Sequence, residues 1–205
     1  MSDVERTKKM SVEDYLKLEE SANRKNEYVR GQIFAMSGAA EAHNVICSNI
    51  HAFLHTSLRG TGCRAFMADM KVRVESADSF YYPDIMVTCE PYDGKSVFKS
   101  APTLIVEVLS ASTRQIDRRE KLVAYRQLDS LWHYVLVHQQ RALIEHYKRI
   151  SQDQWEIQTL QKTDELRLDG IAEKTLCLPV STIYEDVVLP FIVKEEEEEY
   201  ECSIF

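Results

Sequence analysis

The sequence contains neither a predicted membrane-spanning segment nor a predicted secretion signal. No apolar run approaches the length of a membrane span, and the first ten residues lack the apolar core of a secretory signal. The five cysteines form no CxxC pair and are odd in number. We therefore expect a cytoplasmic protein without a membrane partner, whose thiols are reduced and form neither a disulfide framework nor a zinc site.

An excess of positive charge is also missing. The 25 basic residues face 33 acidic ones, and the net charge of −8 argues against nonspecific binding to nucleic acid. Six of the acids lie close to the C-terminus, at Glu195–Glu199 and Glu201, and the remaining 27 nearly balance the bases. We expect residues 191–205 to form a solvated acidic tail and residues 1–190 to form a single domain with a substantial core.

Two apolar runs of strand length each carry one acid. Asp84 lies in FYYPDIMVTCE, and Glu107 lies in PTLIVEVLS. Such runs are typical of strands buried on both faces, where a carboxylate needs a compensating cation or hydrogen-bond donors. If the strands are neighbours, two charges about 4 Å apart repel by roughly 4 kcal/mol at an effective dielectric constant near 20. Either one acid takes up a proton or a cation sits between them.

A helix with a basic side follows, over about Thr113 to Leu128. Lys121 lies three, four and seven residues before the apolar Ala124, Tyr125 and Leu128. This spacing places the lysine on the sheet-facing side, within reach of Glu107. Magnesium ions favour carboxylate oxygen, and the Val108 carbonyl could add a third oxygen. Two acids, a lysine and a metal suit phosphodiester hydrolysis. The alternative is a surface-facing Asp84, a Glu107 paired with an arginine, and an ordinary Asp117–Lys121 helical pair worth about 0.3–0.5 kcal/mol.

The Pro-Asp and Glu-Val-Leu segments that contain Asp84 and Glu107 resemble the PD-(D/E)XK nuclease superfamily. The longer pattern resembles its Uma-type restriction endonuclease family. Leu109 occupies the position at which the superfamily pattern has a lysine. In the Uma-type family the corresponding lysine lies on the following helix, and Lys121 matches that position. The resemblance implies an α/β fold, a restriction-endonuclease-like mixed β-sheet flanked by α-helices, and a Mg²⁺-dependent site. The segments that carry it, from about Met10 to Val137, are NEYVRGQIFAMSGA, AHNVICSNIHAFL, YYPDIMV, IVEVLSASTRQIDRREKLVAYRQL and WHYVLV.

The resemblance also suggests accessory residues. Glu27 matches an acid of the family and could help hold a second metal or orient water, although pairing with an arginine is the alternative. His43 matches a position at the start of a helix, where it would cap the helix or position a nearby loop. Apart from the resemblance, Arg118 and Arg119 lie just ahead of Lys121 on the helix and are therefore candidates for phosphate contacts, with pairing on a solvated helix face as the alternative.

The remaining pattern predicts the order of the elements. A hairpin should turn at Gly31, and the strand after the Thr113–Leu128 helix should lie parallel to the Glu107 strand through a crossover. His51 and His55 are one turn apart but without a third ligand, so we expect a solvated pair. The remaining predictions are strands at Arg64–Glu75, Phe80–Cys89, Leu104–Leu109 and Leu131–Val137, a meander to Leu178, and helix caps at Ser11, Ser112 and either Ser181 or Thr182.

Together these patterns predict a Mg²⁺-dependent endonuclease acting on DNA, with Mn²⁺ equally suited to its ligands. Asp84 and Glu107 would bind the metal, and Lys121 would assist the water or the scissile phosphate. The family resemblance further implies a homodimer. Two alternatives stay open: a noncatalytic nucleic-acid-binding or protein-interaction module on a nuclease-like scaffold, and hydrolysis of RNA or a small phosphoester. Carboxylates that point apart or pair with arginines would favour the noncatalytic alternative.

Overall fold

The computed structural model describes residues 9–36, 38–110 and 114–190, and the predicted acidic tail and the Ser112 cap lie outside them. The strands of these residues form three sheets, with the orders β2-β1-β5-β4-β7, β11-β10-β9-β8-β6-β3 and β12-β13. The mixed sheets and flanking helices confirm the predicted α/β class. The strands are β1 Asn26–Val29, β2 Gln32–Ala35, β3 Arg64–Met67, β4 Lys71–Val74, β5 Ser79–Tyr81, β6 Ile85–Thr88, β7 Phe98–Lys99, β8 Pro102–Leu109, β9 His133–His138, β10 Leu143–Arg149, β11 Trp155–Gln161, β12 Glu165–Ile171 and β13 Lys174–Pro179.

Helices pack against the sheets. The site helix, residues 114–125, consists of α3, a π-helical turn over Asp117–Lys121, and α4. It ends at Tyr125, three residues before the end predicted at Leu128. No helix in the described part of the chain is both long and apolar enough to cross a membrane. The α-helices are α1 Val12–Ser21, α2 Glu41–Ser57, α3 Arg114–Ile116, α4 Leu122–Tyr125 and α5 Val180–Ile183, and Glu75–Ala77 forms a 3-10 turn.

Two of the predicted caps can be compared with the structure. Ser11 caps α1 as expected, because its hydroxyl accepts a hydrogen bond from the Asp14 N–H at 3.1 Å. The predicted cap at Ser181 or Thr182 is wrong, since α5 begins directly after Pro179 and has no side-chain cap. Proline fixes the backbone before the helix without supplying a side-chain acceptor.

The segments predicted as the strands Arg64–Glu75 and Phe80–Cys89 form a long hairpin that is bent and shared between two sheets. Its inner halves, β4 and β5, pair in the first sheet, and its outer halves, β3 and β6, pair in the second. Ala68 takes a left-handed backbone conformation at the bend, with φ of 55°, and its N–H donates to the Asp84 carbonyl at 3.0 Å. The single strands predicted over Arg64–Glu75 and Phe80–Cys89 are therefore each two strands. The bend places Asp84 at the junction of the two sheets.

Strand β8 runs through the middle of the second sheet and carries Glu107. It pairs antiparallel with β6 and parallel with β9, which confirms the predicted parallel neighbours on either side of the site helix. Leu104 to Leu109 are all buried, as expected for a strand covered on both faces. Because side chains alternate along a strand, Val106 and Val108 pack in the core beneath α2, while Ile105 and Leu109 pack with the site helix. Glu107 shares the second face.

The prediction of reduced thiols is wrong for two of the cysteines. Cys63 and Cys89 form a disulfide, with their Cα atoms 4.0 Å apart. The register between β3 and β6 pairs Arg64 with Thr88, so the two cysteines, one residue beyond that pair, face each other. The sequence does not predict this disulfide, because the two cysteines are 26 residues apart and only the register between β3 and β6 brings them together. Cys47 and Cys177 are free.

Candidate active site

Asp84 lies at the bend of the hairpin and is fixed by two contacts. Its Oδ2 accepts a hydrogen bond from the backbone N–H of Val108 at 2.7 Å and lies 3.2 Å from Nε2 of His43. Since Val108 follows Glu107 directly, this bond holds the Asp84 carboxylate beside the strand that carries the second acid. Its side chain stays 19% exposed, so the carboxylate reaches the surface of the site.

Lys121 is the cation at the centre of the cluster. It ends the π-helical turn of the site helix, a type of distortion often found at functional sites. Its Nζ lies 2.9 Å from Glu27 Oε1, 3.3 Å from Glu107 Oε1 and 3.3 Å from Asp117 Oδ1. The residue is only 5% exposed. The Asp117–Lys121 pair considered as an ordinary solvated helix pair is therefore buried, and Glu27 pairs with this lysine instead of an arginine.

Backbone and hydroxyl donors complete the cluster. Tyr125, one turn after Lys121, donates its hydroxyl to Glu107 Oε1 at 3.1 Å. The backbone N–H of Tyr82 donates to Glu27 Oε1 at 3.2 Å, which ties the first hairpin to the bend near Asp84. The two sheets and the site helix thus each contribute to one site.

Carboxylates outnumber cations in this cluster. Burial raises the pKa of Glu107 well above its ordinary value; Lys121 opposes the shift, and Asp117, Asp84 and Glu27 add to it. For Lys121, burial lowers the pKa, but the carboxylates outweigh this effect and the net shift is upward. The lysine therefore remains an ammonium ion, and one positive charge faces more negative charge than it can neutralise.

The donor set fits a hard divalent cation. Asp84 and Glu107 offer carboxylate oxygens of the kind that Mg²⁺ and Mn²⁺ prefer, and a cation would relieve the excess negative charge. The Val108 N–H is committed to Asp84. The part assigned to the Val108 carbonyl stays a prediction.

His43 and Cys47 form a wall of the site on α2. Cys47 Sγ lies 3.6 Å from Nδ1 of His43, whose other nitrogen faces Asp84. Burial raises the pKa of the Cys47 thiol, with the charges of Asp84 and Glu107 adding to the shift. The pocket beside Asp84 measures about 320 Å³ and is lined by Lys25, Met36, Gly38, Ala39, His43, Asn44, Cys47, Met67, Ala68, Tyr82 and Asp84.

The two arginines predicted to meet phosphate lie in other surroundings. Arg118 forms an ion pair with Glu145, and its Nη2 lies 3.0 Å from Nε2 of His138. Arg119 lines a separate groove of about 620 Å³, together with Arg30 and Phe34. The structure thus gathers Glu27, His43, Asp84, Glu107 and Lys121 in one place but gives the two arginines different partners. Their phosphate contacts stay predictions.

Sequence reasoning missed three members of the site. The sequence pattern indicates Asp117 as the partner of Lys121 in a helical pair and Tyr125 as an apolar marker of the helix face, but it predicts no role at the site for either residue. Cys47 was not predicted to belong to the site, although its position four residues after His43 places both residues on one face of α2. The His51 and His55 rings stack at 5.8 Å, and the one potential metal-ligand group found among the described residues does not include them.

Asp84 just before β6, Glu107 on the neighbouring strand β8 and Lys121 on the site helix thus meet within an α/β fold of mixed sheets and flanking helices. The model of the Uma2 family, described as "Putative restriction endonuclease", matches residues 12–181. The chain belongs to this family, which confirms the resemblance noted in the sequence.

Two similar proteins come from Synechocystis sp.. The uncharacterized protein slr1290 of Synechocystis sp. is 36% identical over 177 residues, covering 86% of this chain and 92% of the relative. The uncharacterized protein sll1609 of the same organism is 32% identical over 152 residues, covering 73% and 86%.

A solved structure supports the fold. The crystal structure titled as a "putative nuclease belonging to DUF820" from Anabaena variabilis matches with a TM-score of 0.72 at 17% identity. The match covers 87% of this chain and 99% of that one. At this identity the match establishes the shared fold alone.

Proposed function

We propose that this chain is a divalent-metal-dependent endonuclease that hydrolyses phosphodiester bonds in DNA. The description of its family as restriction endonucleases and the geometry around Lys121 support this function. Asp84 and Glu107 would hold Mg²⁺ or Mn²⁺. Bound there, the metal would supply an activated water and stabilise charge on the phosphate.

The excess of carboxylates around one buried lysine carries the proposal. Glu27, Glu107 and Asp117 each form an ion pair with Lys121, and Asp84 lies close by. Burying this many carboxylates around one lysine costs free energy, so the cluster does not serve stability alone. No arginine contacts Asp84 or Glu107 anywhere in residues 9–36, 38–110 and 114–190. A noncatalytic scaffold was expected to pair these carboxylates with arginines, and the described site does not show such pairs.

Each neighbouring side chain has a role in this proposal. Lys121 presents its ammonium group to the attacking water or the scissile phosphate. Glu27 and Tyr125 hold Lys121 and Glu107 in place through the contacts described above. His43 orients the Asp84 carboxylate.

The surroundings of the site complete the proposal. Arg118 and Arg119 remain candidates for contacts to the DNA backbone; Arg118 would have to exchange its partner Glu145 for phosphate. A cytoplasmic homodimer would bring two sites to the two strands of a duplex.

The test is cleavage of plasmid and linear DNA by the Asp84→Asn variant in Mg²⁺ or Mn²⁺ at low salt. We expect loss of metal-dependent cleavage with an unchanged far-ultraviolet circular dichroism spectrum, because the substitution keeps the shape of the side chain and removes its charge. Asp153→Asn, on an exposed loop, is the matched control and should cleave like the wild type. Cleavage by Asp84→Asn at the wild-type rate would refute the proposal.

Calorimetry separates the enzyme from a noncatalytic module. Mg²⁺ or Mn²⁺ should bind the wild type, and the heat of binding should vanish in Glu107→Ala. A wild type that binds DNA but neither binds metal nor cleaves DNA in its presence would favour the noncatalytic alternative.

A further inference from the structure

A second set of possible metal ligands lies on the α2 side of Asp84. One nitrogen of His43, the sulfur of Cys47 and one carboxylate oxygen of Asp84 lie within 4.8 Å of one another. Ligand atoms bound to one tetrahedral zinc ion are about 3–4 Å apart, given metal–ligand bonds of about 2.0–2.3 Å. A bound ion would draw the three atoms together from separations of at most 4.8 Å to this spacing.

The positions of the three side chains follow from rigid elements. His43 and Cys47 lie four residues apart in the first half of α2, a 17-residue helix, and so point to one face. Asp84 is held by the Val108 N–H at 2.7 Å. Cys47 is only 4% exposed, yet it lines the 320 Å³ pocket together with His43 and Asp84. The pocket leaves room for a fourth ligand, such as water.

The chemistry of these ligands differs from that of the acid cluster. Sulfur and imidazole nitrogen suit zinc and cobalt, whereas Mg²⁺ favours oxygen ligands and retains water. We propose that His43, Cys47 and Asp84 bind a borderline-soft transition-metal dication, Zn²⁺ or Co²⁺, at a site distinct in its ligands from the hard-cation site of Asp84 and Glu107.

The two sets of ligands share Asp84. If the proposed function is correct, a zinc ion at His43 and Cys47 would withdraw this carboxylate from the hard-cation site and inhibit Mg²⁺-dependent cleavage. Binding of the soft metal itself does not depend on the proposed function, because two of its three ligands lie outside the acid cluster.

Cobalt absorption spectroscopy tests the site directly, since Co²⁺ bound to a thiolate gives a charge-transfer band in the near ultraviolet. The titration uses the full chain with Cys177→Ser and Cys202→Ser, which leaves Cys47 as the one thiol outside the Cys63–Cys89 disulfide. We expect one Co²⁺ per chain, a thiolate band, and loss of that band when Zn²⁺ is added.

Two variants made in this background identify the ligands. Cys47→Ser should abolish the thiolate band, and His43→Gln should weaken Co²⁺ binding at least about 100-fold, because even an outer-shell change costs roughly 10- to 100-fold in affinity. The His43 side chain keeps 12% of its surface exposed, whereas Cys47 is 4% exposed, so His43→Gln is a second test of the site if Cys47→Ser fails to fold. No thiolate band in the parent protein, or wild-type affinity in His43→Gln, would overturn the proposal.

A third variant separates this proposal from the proposed function. Glu107→Gln should lose Mg²⁺ binding but keep the cobalt–thiolate band, because Glu107 is not among the soft-metal ligands. Loss of the band in a folded Glu107→Gln variant would show that the soft-metal site is not independent of the acid cluster and would overturn the proposal as stated. Failure of DNA cleavage in every protein would leave the cobalt result unaffected.

Discussion

Two buried cations of this protein are stabilised in opposite ways. Lys121 lies among three carboxylates, whereas Arg149 donates four hydrogen bonds to backbone carbonyls at 2.8–3.0 Å. Arg149 also stacks its guanidinium group 4.6 Å from the centre of the Trp155 ring. The carbonyls that it contacts belong to Leu131, Gln152, Arg126 and Leu128.

The difference distinguishes a charge that neutral dipoles stabilise from a charge surrounded by excess negative charge. Arg149 joins the end of the site helix to the loops beside β9 and β11, and neutral dipoles satisfy it. Its cationic state therefore needs no other ion. Around Lys121 the negative charge is in excess, so the site gains stability from any further cation, which is the property that a metal-dependent enzyme requires.

Removing each cation should have the largest effect. We expect Lys121→Met and Arg149→Met each to lower the free energy of unfolding by about 3–5 kcal/mol, because each leaves buried polar partners unpaired. The two losses should differ in their pH dependence. In Lys121→Met the abandoned carboxylates take up protons, so its deficit should shrink from about pH 8 to about pH 5, whereas carbonyls do not titrate.

Urea denaturation at a series of pH values measures both deficits. Arg149→Met is the control for burial, because its deficit should stay constant across this range. A pH-independent deficit in Lys121→Met would contradict the view that uncompensated carboxylates dominate the site.

Glu107→Gln should have a smaller effect of the opposite sign. The amide keeps the shape of the side chain and an oxygen acceptor for Tyr125, but removes one excess negative charge. Since the folded-state pKa of Glu107 is raised above its ordinary value of 4.5, wild-type stability falls as the pH rises from that value through the folded pKa. At neutral pH the variant should therefore be more stable than the metal-free wild type, by about 1 kcal/mol.

Thermal unfolding with and without Mg²⁺ checks this prediction. Magnesium should raise the melting temperature of the wild type and leave that of Glu107→Gln unchanged. Equal stabilisation of both proteins by the metal would place the cation elsewhere, and a destabilised Glu107→Gln would show that the negative charge is fully compensated.

The effect expected to be smallest at neutral pH concerns a buried pair of histidines, which carries no net charge there. His133 Nδ1 lies 3.0 Å from His146 Nε2, and burial lowers the pKa of His146 to about 3, with His133 and Lys148 adding to the shift. Because the unfolded chain binds this proton near pH 6.5, stability should fall as the pH drops from there toward 3. The slope for one such proton is at most about 1.4 kcal/mol per pH unit.

Replacing His146, with an exposed histidine as the control, isolates the contribution of this pair to the loss of stability in acid. His146→Gln should make the acid-side slope of stability against pH shallower, whereas His55→Gln should not change it, because His55 is exposed on α2. An identical slope in both variants would mean that other groups cause the loss of stability in acid.

The sequence predicted the elements better than their sheets. Apolar runs with one acid each identified the strands of Asp84 and Glu107, and apolar spacing placed Lys121 toward the sheet, where the structure finds it. The same patterns read Arg64–Glu75 as one strand, because the bend at Ala68 depends on a left-handed backbone and a bond to the Asp84 carbonyl. Local periodicity contains no information about that contact.

The sequence by itself determined the class of fold, the family, and the three residues around which the proposed site is built. Only the tertiary structure decided which charges meet. Glu27 comes from the first hairpin, Asp117 from a π-helical turn, and both reach Lys121 because two sheets and a helix converge there. The Cys63–Cys89 disulfide and the proximity of Cys47 to Asp84 likewise arise from packing between elements distant in the chain. Residue types set the chemistry that each side chain can supply, but the excess of negative charge exists only once folding has removed these groups from water.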